Sequence, residues 1–119
     1  MEALTGLGRL CVKAERWEDA LAAYGQAYQA DPHDAQVCNN LGVVHFQRHE
    51  YQEAIDWFRA ATARSPTYAR AFGNLGEAYA ALGRTEEARE ALGRALSLEP
   101  GDARAARSLQ ALEGGARAR

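Results

Sequence analysis

Proline, cysteine and one-sided charge are all scarce in this chain of 119 residues, and each shortage removes a class of answer. Two cysteines, Cys11 and Cys38, are too few for a disulfide framework and form no CxxC pair, so they leave the redox compartment open. Lys and Arg number 14 against 16 Asp and Glu, a formal net charge of −2. That balance gives no basic field for nucleic acid or an anionic membrane, beyond the short Ala116-Arg117-Ala118-Arg119 end. No window approaches the about 20 apolar residues of a membrane span, and Met1-Glu2-Ala3-Leu4 has no basic n-region. A soluble chain without nucleic-acid or membrane partners is expected. GxSxG, HExxH and phosphate-loop patterns are absent too, so neither an enzyme nor a cofactor is expected.

The few prolines are where the organisation becomes visible. Pro32, Pro66 and Pro100 each stand 34 residues after the last, and other residues return at the same offset. Leu7-Gly8, Leu41-Gly42 and Leu75-Gly76 form one such set; Ala20, Ala54 and Ala88, then Ala27, Ala61 and Ala95, form two more. A period in this range marks a stacked array of supersecondary units. Within each unit the apolar spacing is helical. Leu4, Leu7, Leu10 and Cys11 make one stripe, and Ala20, Leu21, Tyr24, Ala27 and Tyr28 a second, with room only for a tight turn near Glu15-Arg16. Cys38, Leu41, Val44 and His45 lead to Ala54, Ile55, Phe58 and Ala61; Phe72, Leu75, Ala78 and Tyr79 lead to Ala88, Leu92, Ala95 and Leu96.

Local signals refine this reading. Asp34 and Asp102 are positioned to cap helices, Thr85 is expected to do the same, and Gly83 suits a left-handed helix end. Glu15 and His49 take the place of Gly83 in the other units, at a cost on the order of 1 kcal/mol. Gly8, Gly42 and Gly76 fall mid-helix, where glycine costs roughly 1 kcal/mol, so a close helix approach is expected at each. Acidic Glu18, Asp19, Glu53, Glu86 and Glu87 open the second helices, where they complement the macrodipole. A last helix over 103–113 carries Ala105, Ala106, Leu109 and Leu112, and Gly114-Gly115 are expected to stop it.

These residues resemble the tetratricopeptide repeat family over nearly the whole chain. The second copy shows Leu41-Gly42, His45, Ala54, Phe58, Ala61 and Pro66, and the third Leu75-Gly76, Tyr79, Ala88, Leu92, Ala95 and Pro100. Cys11 and His45 replace the usual aromatic, and Leu4 and Cys38 stand where the family favours tryptophan. The resemblance implies an all-α fold: a right-handed superhelical solenoid of three antiparallel helix-turn-helix repeats with a C-terminal capping helix, seven helices in all. The repeats would span 1–34, 35–68 and 69–102, the capping helix 103–113, and a flexible tail 114–119. First helices would line a concave groove that holds a peptide or helix of a partner protein.

Given that fold, the groove follows by subtraction. If Leu41, Val44 and His45 face the packed side, then Asn40, Val43 and Gln47 lie opposite, with Gln36 and Asn39 beside them. Matching positions contribute Arg9 and Lys13 before, and Arg70, Asn74 and Glu77 after. An asparagine amide both donates to and accepts from a peptide backbone, which suits Asn40 and Asn74 to ligand contact; a solvated repeat position is the alternative. Some family members grip a C-terminal carboxylate with a clamp. By position Asn40 matches it and Arg70 keeps a lysine's charge, whereas Thr5, Arg9 and Asn74 depart, so the clamp is incomplete. Arg9 and Arg70 still suit an acidic peptide. Cys38, His45 and His49 share a helical face, but the first two occupy packing positions, and no metal is expected. The competing reading is a scaffold, a homo-oligomer joined through exposed apolar residues such as Trp57 and Val43.

Overall fold

A computed structural model describes the backbone of residues 2–117 and the side chains of residues 3–114. Seven helices and no strand occur among the described residues: α1 (Glu2–Lys13), α2 (Trp17–Ala30), α3 (Ala35–Gln47), α4 (Tyr51–Arg64), α5 (Ala69–Ala81), α6 (Thr85–Leu98) and α7 (Ala103–Arg117). Consecutive helices pack as hairpins, each hairpin stacks on the next, and α7 lies on α6 and touches α5. The stack is elongated, 45 × 26 × 21 Å.

Each hairpin turn is made the same way. One residue adopts positive φ, Glu15 at 57°, His49 at 64° and Gly83 at 75°. The amide after it then returns to the helix: Arg16 N donates to Cys11 O (2.8 Å), Glu50 N to His45 O and Arg84 N to Tyr79 O (both 2.9 Å). This bond makes Arg84 the N-cap residue and Thr85 the first residue of α6, so the expected Thr85 cap is not formed. The Thr85 hydroxyl instead reaches Gly83 O at 3.5 Å. Between hairpins, Asp34 accepts from Gln36 N (3.0 Å) and Val37 N (3.4 Å), and Asp102 from Ala105 N (3.1 Å), as expected of caps.

Small residues bring the helices of a hairpin together. A Cβ at Gly42 would lie 2.5 Å from the Phe58 ring, one at Gly76 would lie 2.6 Å from Leu92, and one at Gly8 would enter the Tyr24 ring. Ala20, Ala54, Ala88, Ala27, Ala61 and Ala95 are all fully buried. Leu41 packs with Ala20, Tyr24 and Ala27 of α2, and Leu75 with Ala54, Ile55 and Phe58 of α4. No helix precedes α1 among the described residues, so Leu7 and Leu10 of the expected stripe are 51% and 66% exposed. At the other end α7 continues through Gly114 and Gly115 to Arg117. Glycine lowers helix propensity without ending a helix, and Gly114 does not take the positive φ a stop requires. Of the expected tail, 114–117 are therefore helical, and 118–119 lie outside the described residues.

Candidate functional site

Stacking the hairpins places α1, α3 and α5 side by side, and between them runs a groove of about 1340 Å³, closed at one end by the α6–α7 turn and α7. The 34-residue period sets its rows. Gly6, Asn40 and Asn74 form one, and Arg9, Val43 and Glu77 the next. Lys13, Gln47, Asn39 and Arg70 also line it, whereas Gln36, exposed near the start of α3, does not. The expected face is thus assembled apart from Gln36.

Two asparagines serve the scaffold. Asn39 is buried, 3% exposed, and its Oδ1 accepts from Asn74 Nδ2 at 2.9 Å, tying α3 to α5. Burial raises the pKa of the neighbouring Tyr68 hydroxyl, with Arg70 and then Asn39 acting in the opposite direction. A buried amide left unpaired costs about 1–3 kcal/mol, so this pairing is structurally consequential. Asn40 is half-buried on the groove wall, and its side chain is in none of the scaffold hydrogen bonds found among the described residues.

Charge is partitioned along the wall. Glu77 receives both Arg104 Nε (3.1 Å) and Arg104 Nη2 (2.8 Å), a fork across to α7 that commits its carboxylate. Arg104 and the exposed Leu10 are groove residues that sequence reasoning missed. Arg104 stands 34 residues after Arg70, and that period was the available signal. Asp102 at the closed end spends its carboxylate on the α7 cap. Arg9, Lys13 and Arg70 are exposed, and the ion pairs found among the described residues involve other groups. With Glu99 at the closed end included, four cations and three carboxylates line the groove, and with Glu77 paired to Arg104 its uncommitted charge is positive although the chain carries −2 overall.

The remaining candidates separate. Cys38 packs with Ala61 and Ala71, and burial pushes its thiol pKa up. His49 sits in the αL turn with its Nδ1 2.7 Å from Tyr51 Oη, so Cys38, His45 and His49 do not converge. Trp57 is not exposed as expected: its ring lies edge-on to Tyr28 at 4.9 Å, half-buried between two core clusters. Val43 packs partly on the core beneath the groove.

Comparison with known proteins bears on this geometry. Models of tetratricopeptide repeats match residues 5–69 and 45–112. A small glutamine-rich tetratricopeptide repeat-containing protein 2 of Mycosarcoma maydis is 28% identical over 99 residues, 83% of this chain and 28% of that protein. The chain spans only 3% to 28% of the length of the first curated relatives it matches. Among solved structures, the first repeat domain of Spaghetti (RPAP3) bound to the HSP90 peptide SRMEEVD superposes with a TM-score of 0.93 at 25% identity, covering 97% of this chain and 91% of that one. The second such domain of human RPAP3, in complex with the HSP70 peptide SGPTIEEVD, gives 0.88 at 26% identity, covering 92% of each chain.

Proposed function

The chain belongs to the tetratricopeptide repeat family, and from that premise we propose that its groove is a non-catalytic binding site for an acidic segment of a partner protein. The observation that carries this reading is the set of uncommitted cations, Arg9, Lys13 and Arg70, on a concave wall that also offers Asn40 and Val43. Guanidinium groups take carboxylates in charge-assisted bonds, and Asn40 suits the peptide backbone between them. Both peptides named with the superposed repeat domains carry the acidic run Glu-Glu-Val-Asp, which agrees in sign with this wall. The clamp departures at Thr5, Arg9 and Asn74, the last already engaged with Asn39, favour acidic side chains over a terminal carboxylate as the recognised feature.

Fluorescence anisotropy with a labelled acidic peptide tests the proposal, alongside its Gln-substituted and C-terminally amidated forms. Binding should fall with added salt, survive amidation, and weaken about tenfold in Arg9→Ala or Arg70→Ala with the melting temperature unchanged. Equal affinity for the acidic and Gln-substituted peptides would remove it. Light scattering at the same concentrations supplies the control, since exposed Leu7 and Leu10 support association of copies as a second reading.

A further inference from the structure

The second hairpin breaks the charge pattern of the other two at one place. Arg16 and Arg84 precede α2 and α6, and each pairs with the acid three residues on: Arg16 Nη2 to Asp19 Oδ2 at 2.7 Å, and Arg84 to Glu87 at 2.8 and 2.6 Å. Before α4 the corresponding residue is Glu50, and three residues on is Glu53. Two carboxylates stand where the scaffold elsewhere has an ion pair. The same hairpin also puts His45 where Cys11 and Tyr79 stand, and His45 Nδ1 lies 2.9 Å from Glu50 Oε1. Donor atoms of His45, Glu50 and Glu53 all fall within 4.8 Å of one another.

We propose that His45, Glu50 and Glu53 form a binding site for a divalent transition-metal ion of the zinc type. One imidazole nitrogen and two carboxylates suit such an ion, and the nitrogen disfavours magnesium and calcium, which prefer all-oxygen shells. The turn that brings Glu50 N to His45 O at 2.9 Å holds two of the ligands in place. Tetrahedral bonds of about 2.0–2.2 Å set donors roughly 3.4 Å apart, so His45 Nδ1 and Glu50 Oε1 exchange their 2.9 Å hydrogen bond for the ion and part slightly, while exposed Glu53 rotates inward. Arg48 is the neighbouring cation, with its Nε 3.5 Å from Glu50 Oε1, but its Nη1 pairs with Glu18 at 2.8 Å. Glu18, Glu50 and Glu53 together therefore outweigh Arg48, leaving an excess of negative charge for a divalent ion to neutralise. None of the three ligands lines the groove, so this site is independent of peptide binding.

The test is thermal unfolding and calorimetric titration of the whole chain with zinc chloride, and separately with magnesium chloride. One zinc per chain and a raised melting temperature are expected, with no response to magnesium. Glu50→Arg and His45→Tyr install the residues found at these positions in the third repeat, so both variants should fold. Each should lose zinc affinity by more than about tenfold, since loss of a ligand exceeds the about 10–100-fold cost of an outer-shell partner. No zinc response in the unaltered chain, or a full response in Glu50→Arg, would overturn the proposal.

Discussion

Gly42 shows how a missing side chain sets a packing distance. Its hypothetical Cβ meets the Phe58 ring at 2.5 Å, and Phe58 is 1% exposed with no room to retreat. Glycine lowers helix propensity by roughly 1 kcal/mol, but forcing atoms into a filled core costs about 1–3 kcal/mol, so the glycine is the better choice. Gly42→Leu is expected to destabilise by at least that overpacking cost, read as a lower urea midpoint; an unchanged midpoint would contradict the packing account. The asparagines teach a different lesson. Asn39 and Asn40 are adjacent, chemically identical and both on the groove lining, yet one is buried and locked to Asn74 while the other is half-buried and open on the wall. About 100° of helix rotation separates them, enough to exchange a structural role for one open to a ligand.

At the scale of elements, the hairpin turns are equivalent in bonding and unequal in cost. The Gly83 turn is unstrained, whereas Glu15 holds φ at 57° with a Cβ. A non-glycine residue in that region costs about 1–2 kcal/mol, and glycine returns about 0.5–1 kcal/mol of that through unfolded-chain entropy. Glu15→Gly is therefore expected to stabilise the chain by up to about 1 kcal/mol, seen as a higher melting temperature. A lower one would contradict the strain account. His49 is a poorer test because it also hydrogen-bonds Tyr51. Caps show the same dependence on context: Asp34 and Asp102 cap through side chains, while the closing bond at Arg84 moves the cap position off Thr85.

For the whole molecule, burial makes the fold sensitive to alkali. Tyr24, Tyr68 and Cys38 all have pKa values raised chiefly by desolvation, so the folded chain holds their protons more tightly than the unfolded chain does. Their contribution is complete below the unfolded pKa values, about 8.5 for Cys and about 10 for Tyr, and is lost as pH rises through the folded values. Melting temperature should therefore decline above about pH 9, and less steeply in Tyr68→Phe. A flat profile would show that these groups ionise as freely in the fold as in water. The groove belongs to this scale too, because its walls come from three repeats and from α7.

The sequence by itself determined the helices, their pairing and most of the groove face, because the 34-residue period repeats every local cause: the Leu-Gly pair, the buried alanines, the turn residues and the prolines. Arg9, Lys13, Asn40, Val43 and Arg70 were legible for that reason, since helical spacing settles which face a residue occupies. What only the tertiary structure decided lies in contacts that cross between repeats or break their pattern. Asn74 to Asn39 spans 35 residues, Arg104 to Glu77 spans 27, and Trp57 is covered by Tyr28 from the preceding hairpin. A one-dimensional pattern states which residue faces which way, but the partner across an interface depends on how neighbouring helices settle against each other. There the chain separates groups consumed by the scaffold from those that stay uncommitted on the groove wall.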